Sequence, residues 1–146
     1  MVCKLWIEIA LTPAQPVSNE DFSIQLKVTN IGDSIFPGGE LTYFALMTQN
    51  AVRSVSKSSL SKIPSLTQNV SIELEPHTFW AFEDGVAWIR VQLKANDDQK
   101  VDLYQNPEIN MGQTWQNIIV IKSQEYVVIT KLLEKIVGLL TEEKKL

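Results

Sequence analysis

Cysteine and histidine are almost absent from this sequence of 146 residues. Cys3 is the only cysteine, so a disulfide within the chain is excluded, and a reducing compartment is mildly favoured. His77 is the only histidine, which excludes His-paired metal clusters and makes any serine triad depend on this one residue. No Gly-x-Ser-x-Gly elbow accompanies His77. A loop histidine without a catalytic role is therefore the simpler interpretation.

Positive charge and long apolar runs are also scarce. The 13 Lys and Arg residues are outnumbered by 17 Asp and Glu, and the only basic run is Lys144-Lys145. Because a nucleic-acid binder needs a basic face, we expect no nucleic-acid partner. No segment approaches the roughly 18 apolar residues of a membrane span, and Glu8 and Pro13 interrupt the N-terminal apolar run too early for a signal peptide. The expected location is cytoplasmic, unless the chain is an excised domain of an exported protein.

Alternation of apolar and polar residues is the strongest structural pattern in the chain. It is clearest from Phe22 to Val28, where Phe22, Ile24, Leu26 and Val28 fall on one face of a predicted strand. Burial of that face requires a second layer of structure against it. The pattern therefore predicts a sandwich or a barrel, in a chain whose length fits one domain.

Similar alternation predicts further strands with turn residues between them. They are expected over residues 5–11, 41–47, 70–74, 86–93 and 115–121. Residues 48–68 are expected to hold one short edge strand and loops, and residues 105–114 a polar loop. The predicted fold class is mainly β: an immunoglobulin-like antiparallel β-sandwich with a C-terminal α-helix.

Three segments carry a resemblance to a known family. They are VSNEDFSIQLKVTNIGDS at 17–34, IPSLTQNVSIELEP at 63–76 and GVAWIRVQL at 85–93. Together they resemble the CARDB-type domain of bacteria and archaea, an immunoglobulin-like module, with Asn30-Ile31-Gly32-Asp33 at the family's Asn-x-Gly-[Asp/Asn] turn. The resemblance covers about residues 12–121. It implies a mostly non-catalytic module of a kind associated with cell-surface and adhesive proteins.

The periodicity changes to that of an amphipathic helix after Ser123, a plausible N-cap. We predict a β-sandwich over residues 1–122 and this helix over residues 123–146. Its candidate interaction residues, which step alternately by three and four, are Tyr126, Ile129, Leu133, Ile136 and Leu140. The helix is expected either to pack on its own sandwich, or to bind a protein partner or a second copy, or to lead to another domain.

Aromatic residues cluster in the second half of the chain. Phe79, Trp80 and Phe82 stand beside Glu83 and Asp84, and exposed aromatics next to carboxylates form a possible ligand surface for a sugar. The alternative is core packing, which is usual for tryptophan in a sandwich. The two interpretations differ in whether Trp80 and Phe82 are exposed and coplanar.

Acidic residues near Asn96 offer the other candidate site. Asp97, Asp98 and Asp102 have the oxygen ligands that calcium prefers, but their spacing matches no EF-hand loop. A solvated hairpin turn is the simpler interpretation.

No catalytic residue, metal site or cofactor site emerges from these patterns. The sequence predicts a non-enzymatic protein-interaction or structural module. The alternative is a carbohydrate- or small-ligand-binding sandwich.

Overall fold

Ten strands and one helix follow one another in the computed structural model, which describes residues 3–49 and 52–143. The strands are β1 Cys3–Thr12, β2 Glu20–Asn30, β3 Gly39–Gln49, β4 Val52–Ile63, β5 Ser71–Glu73, β6 His77–Ala81, β7 Gly85–Ala95, β8 Val101–Asn106, β9 Ile109–Asn110 and β10 Thr114–Ile121, and the helix is α1 Gln124–Glu143.

The strands form two sheets. The first has six strands in the order β5-β2-β1-β8-β9, with β6 paired to β2 beside β5. The second has four strands in the order β10-β7-β3-β4. Among the described strands, β1 and β8 form the one parallel pair, and the other pairings are antiparallel. The chain is therefore a β-sandwich with a C-terminal helix, as the sequence predicts.

The core lies between the two sheets and is built by the predicted alternation. Phe22, Ile24, Leu26 and Val28 of β2 are at most 1% exposed. The other sheet faces them with the inward residues of β3, β7 and β10, which include Leu41, Tyr43, Ile89, Val91 and Trp115. Each strand thus contributes every second side chain, because successive side chains of a strand point to opposite faces.

The prediction of one edge strand with loops over residues 48–68 is confirmed as to the edge strand, since β4 ends the order of its sheet, but its predicted short length is wrong. β4 runs from Val52 to Ile63 and pairs with β3 along its whole length, apart from a bulge at Ala45/Leu46. The inward positions near its end are Ser59, Ser61 and Ile63. Two of these three are small polar residues, so the strand lacks an apolar period. Residues 50 and 51 lie outside the described part of the chain.

The predicted polar loop at 105–114 also contains strand structure. β8 ends at Asn106, and a tight turn leads into the two-residue strand β9. Asn106 forms the turn, since its Oδ1 accepts hydrogen bonds from the backbone N–H of Glu108 at 2.9 Å and of Ile109 at 3.1 Å. This is the local side-chain bonding that suits asparagine to turns.

Asn30, the first residue of the Asn-x-Gly turn, is fully buried at the end of β2. Its Nδ2 donates to the carbonyl oxygens of Ser34 at 2.8 Å and Leu66 at 2.9 Å. Its Oδ1 accepts from the N–H of Gly32 at 3.0 Å. The side chain therefore ties the turn after β2 to the segment that follows β4, and its buried polar atoms are satisfied.

Candidate interaction surfaces

Helix α1 begins immediately after a residue that is fixed to the sandwich. Lys122 follows β10, and its backbone N–H donates to Pro16 O at 3.0 Å while its carbonyl accepts from Ser18 N–H at 2.8 Å. Ser123 then caps the helix as predicted, because its Oγ accepts from Tyr126 N–H at 3.0 Å. Only Ser123 separates Lys122 from the first residue of α1, so the base of the helix lies next to Pro16 and Ser18.

An apolar stripe covers about half the circumference of α1. Its members are exposed from 51% for Tyr126 to 61% for Val137. They are Tyr126, Val128, Ile129, Leu132, Leu133, Ile136, Val137, Leu139 and Leu140. This set contains all five predicted interaction residues. Monomeric proteins rarely expose a large contiguous apolar patch, such as one of nine neighbouring side chains, unless the patch is an interaction site.

The helix meets its own sandwich through the opposite side. Val127 and Thr130 are the half-buried residues of α1 among those described. Val127 precedes Ile136 by nine residues, about two and a half turns, so the two side chains lie on opposite sides of the helix. A groove of about 520 Å³ remains between the helix base and the segment after β1, with Pro13, Val17 and Val127 in its lining.

This arrangement removes one of the alternatives left open by the sequence. A helix that covered its own sheet face or edge would bury its apolar stripe, whereas every member of the stripe of α1 is more than half exposed. Binding to another chain stays a prediction. Residues 144–146, which end the predicted helix, lie outside the described part of the chain.

Phe79, Trp80 and Phe82 do not share one surface. Phe79 is 1% exposed and packs against Phe22, with ring centroids 6.1 Å apart, so its place on a ligand surface is wrong. Trp80 points outward from β6 and is 42% exposed, and Phe82 is half-buried. Because neighbouring residues of a strand face opposite ways, Phe79 and Trp80 cannot line one binding face.

His77 is part of a polar cluster that the sequence does not reveal. It opens β6 rather than lying in a loop, and its Nε2 is 2.7 Å from Ser61 Oγ of β4. The hydroxyl of Tyr43 donates to the same Ser61 Oγ at 3.0 Å. Burial raises the pKa of Tyr43, the Ser61 bond opposes this, and the charge of Glu75 adds to it. Ser61 is only 3% exposed, so the cluster joins the two sheets inside the molecule.

The acidic residues near Asn96 are spread over two elements. Asp97 and Asp98 are exposed in a 3-10 turn, where both have positive φ. This turn joins β7 to β8, which lie in different sheets, so it is not a hairpin. Asp102 lies in β8 and accepts from Asn110 Nδ2 at 3.3 Å. Within residues 3–49 and 52–143, no three His, Cys, Asp or Glu side chains gather as a metal site would require.

Cys3 is buried at the start of β1 as a free thiol. Burial raises its pKa, although a hydrogen bond from the Lys4 backbone acts in the opposite direction. A buried thiol that holds its proton is a poor nucleophile, so Cys3 behaves as a small core residue.

In the described part of the chain, no helix has the length and apolarity needed to cross a membrane.

The fold of this chain is similar to that of several solved structures. No protein-family model matches this chain, and no curated protein sequence matches it. Among solved structures, red sea bream transglutaminase is similar at a TM-score of 0.52 and 15% identity, over 80% of this chain and 16% of that one. The sporulation control protein Spo0M of Bacillus subtilis is similar at a TM-score of 0.51 and 11% identity, over 92% of this chain and 55% of that one.

A CARDB domain from Pyrococcus furiosus is also similar, with a TM-score of 0.47 and 10% identity over 82% of this chain and 86% of that domain. At such identities the likeness is one of fold. This chain spans about a sixth of the transglutaminase and just over half of Spo0M, at 16% and 55% of their lengths. Membership of the CARDB family stays a prediction.

Proposed function

We propose that this chain is a non-catalytic interaction module that self-associates through helix α1. The observation that carries the proposal is the apolar stripe of α1, every member of which is more than half exposed. Burial of one leucine side chain is worth about 1.5–3 kcal/mol, so covering several members supplies substantial binding free energy. A second copy of the chain is the occupant we favour, because the four-stranded sheet of the same chain also exposes apolar residues, Val86, Ile118 and Val120.

The buried position of Ser61, the hydroxyl partner of the one histidine, supports the non-catalytic part of the proposal. A serine nucleophile must reach its substrate, whereas Ser61 is 3% exposed beside His77. The pair therefore has the surroundings of a structural hydrogen bond rather than of an active site. We propose a cytoplasmic location as well, as the sequence predicts.

Ligand binding at the aromatic cluster has less support. The cluster offers one outward ring, that of Trp80, while Phe79 is buried and Phe82 is half-buried. A flat sugar-binding surface would require at least two exposed rings side by side. Self-association through α1 is therefore the better-supported function.

Glutamate substitutions in the stripe test the proposal in the full chain. Leu133→Glu and Leu140→Glu each place a charge in the stripe, and Glu is a good helix former, so α1 itself is retained. Loss of about 1.5–3 kcal/mol of leucine burial corresponds to a Kd roughly ten- to a hundredfold weaker. The readout is molar mass by light scattering over a range of protein concentrations.

Thr141→Glu is the matched control. It adds the same charge one residue after Leu140, on the polar side of α1, and should leave the molar mass unchanged. Circular dichroism spectra of all three variants should match that of the parent chain, which checks that the fold is kept. Equal behaviour of Leu140→Glu and Thr141→Glu would contradict assembly through the stripe.

A further inference from the structure

The outer faces of the two sheets differ in chemistry. The outer face of the six-stranded sheet is polar at its centre, where hydroxyl pairs cross between strands. Ser23 Oγ lies 3.2 Å from Thr78 Oγ1, and Thr29 Oγ1 lies 2.7 Å from Ser71 Oγ. Such a face is suited to contact with water, as in most antiparallel sheets with one buried side.

The outer face of the four-stranded sheet is apolar where β7 begins and β10 ends. Trp88 of β7 lies between Ile118 of β10 and Leu46 of β3, its partners in the strand register. The next outward pair along β7 and β10 is Val86 with Val120. Ile118, Val120 and Val86 are 51%, 46% and 43% exposed. We name these five residues, Leu46, Val86, Trp88, Ile118 and Val120, the outer patch.

A continuous apolar run along a strand is typical of sheets that are covered on both faces. β10 has this character, since Ile118, Ile119, Val120 and Ile121 form a continuous apolar run. Its even-numbered residues belong to the outer patch, while Ile119 and Ile121 are in the core. The outer patch therefore has the composition of a surface that a second layer covers.

We infer that the outer patch is the seat of helix α1 from a second copy of this chain, an inference that rests on the proposed self-association. Both surfaces are apolar, both are exposed, and both belong to the same molecule. The stripe of α1 is about half a circumference wide, whereas a coiled-coil seam is narrower. A broad stripe fits a flat sheet face better than it fits another helix.

The chain's own helix is poorly placed to cover the outer patch. Lys122 is held to Pro16 and Ser18 by two backbone hydrogen bonds, at 3.0 and 2.8 Å. The side chain of Lys122 also stacks on the ring of Tyr126, with Nζ 4.6 Å from the ring centroid. Only Lys122 and Ser123 connect β10 to α1. Folding the helix back onto β10 would therefore break these contacts and the Ser123 cap. A helix from another copy meets no such constraint.

Charge is also complementary beside the outer patch. Arg90 is the next outward residue of β7 after Trp88, paired with Gln116 of β10, and so lies beside the outer patch. Glu125 precedes Leu132 by seven residues and so lies on the stripe side of α1, where its carboxylate is opposite in charge to the Arg90 guanidinium.

A two-fold arrangement satisfies both surfaces at once. Each copy would place its α1 on the outer patch of the other, which gives a closed dimer with two identical contacts. Closure of this kind leaves no outer patch or stripe exposed for further growth. The inference thus specifies a dimer rather than a fibre.

Crosslinking of full chains tests the contact. One sample mixes an Ile118→Cys chain with a size-tagged Leu133→Cys chain and adds a short bismaleimide; Cys3 is buried and does not compete. We expect the crosslinked heterodimer as the main product. In the control, Lys131→Cys on the polar side of α1 replaces Leu133→Cys, and the heterodimer should be lost.

The other outcomes separate this inference from the proposed function. Preferential crosslinking of Leu133→Cys chains to each other would mean that helices meet helices, which overturns the sheet contact and leaves self-association standing. Crosslinking within one chain of an Ile118→Cys, Leu133→Cys double variant would place α1 on its own sheet and overturn both. A monomer without crosslinks would overturn both as well.

Substitution on the sheet gives an independent readout. Ile118→Glu should shift the full chain to monomer while circular dichroism stays unchanged, since the side chain is 51% exposed. The matched control is Ala10→Glu, an exposed position on the outer face of the six-stranded sheet, which should leave the dimer intact. A dimer that tolerates Ile118→Glu would contradict the inference.

Discussion

Ser61 Oγ of β4 lies 2.7 Å from Nε2 of His77 in β6, and this hydrogen bond joins the two sheets of the sandwich. The hydroxyl of Tyr43 donates to the same Ser61 Oγ at 3.0 Å. Ser61 thus bonds the buried Tyr43 and the half-buried His77 at once. Polar groups inside a core are costly unless they are paired in this way.

Replacement of Ser61 should therefore be expensive. Ser61→Ala leaves the Tyr43 hydroxyl and His77 Nε2 without their partner, and each such loss costs about 1–3 kcal/mol. We expect the free energy of unfolding, measured by urea denaturation, to fall by about 2–4 kcal/mol. Ser23→Ala removes a partly exposed hydroxyl pair and should cost less than about 0.5 kcal/mol. Similar losses in the two variants would refute the role assigned to Ser61.

Alkaline pH should weaken the fold through Tyr43. Burial, opposed by the Ser61 bond and aided by the Glu75 charge, raises its pKa above the ordinary value of 10.0. Below pH 10.0 the phenol is protonated in both states, so its contribution to stability is complete. As the pH rises further, the unfolded chain loses this proton first, and the free energy of unfolding falls.

Tyr43→Phe checks this assignment. The variant should be about 1 kcal/mol less stable at neutral pH, because one hydrogen bond is lost. It should nevertheless lose less stability than the parent chain as the pH rises above 10.0. Parallel stability–pH curves for the two proteins would contradict the prediction.

Asn30 should be among the most sensitive polar residues. Asn30→Ala removes three side-chain hydrogen bonds at a buried position, and at about 0.5–1.5 kcal/mol each we expect a loss of roughly 2–4 kcal/mol in urea unfolding. Asn106→Ala removes two bonds in an exposed turn and should cost about 1 kcal/mol or less. An equal cost at both sites would contradict the account of the turn.

Two glycines should respond oppositely to alanine. A Cβ at Gly39 would lie 2.5 Å from the backbone oxygen of Lys94, so Gly39→Ala forces β3 and β7 apart and should cost about 1–3 kcal/mol in urea unfolding. A Cβ at Gly138 meets nothing within 4 Å, and Gly138→Ala should stabilise α1 by about 1 kcal/mol. The helical circular dichroism signal of Gly138→Ala should therefore persist to higher temperature; a lower signal would contradict this.

Strands whose two faces differ in polarity are predictable from the sequence. β2 alternates strictly because one face is core and the other is polar, and its position follows directly. β4 is not predictable in this way, because Ser59 and Ser61 occupy inward positions where apolar residues are expected. The Ser61–His77 bond is not predictable for a different reason: it depends on how the two sheets pack against each other, since β4 and β6 lie in different sheets.

The candidate interaction surfaces divide in a similar way. The stripe of α1 follows from its helical period, and its five predicted residues are exposed together. The outer patch depends on residues from three strands and becomes visible only in the sheet. A sequence signal for it exists in the apolar run Ile118–Ile121, which is longer than a strand with one exposed face requires.

Molar mass of the unmodified chain in solution, by light scattering from low to high micromolar concentration, tests the central claim most directly. Self-association through α1 in a two-fold arrangement predicts twice the chain mass of 16.5 kDa, with dissociation only on dilution. A mass of 16.5 kDa throughout the concentration range would contradict it.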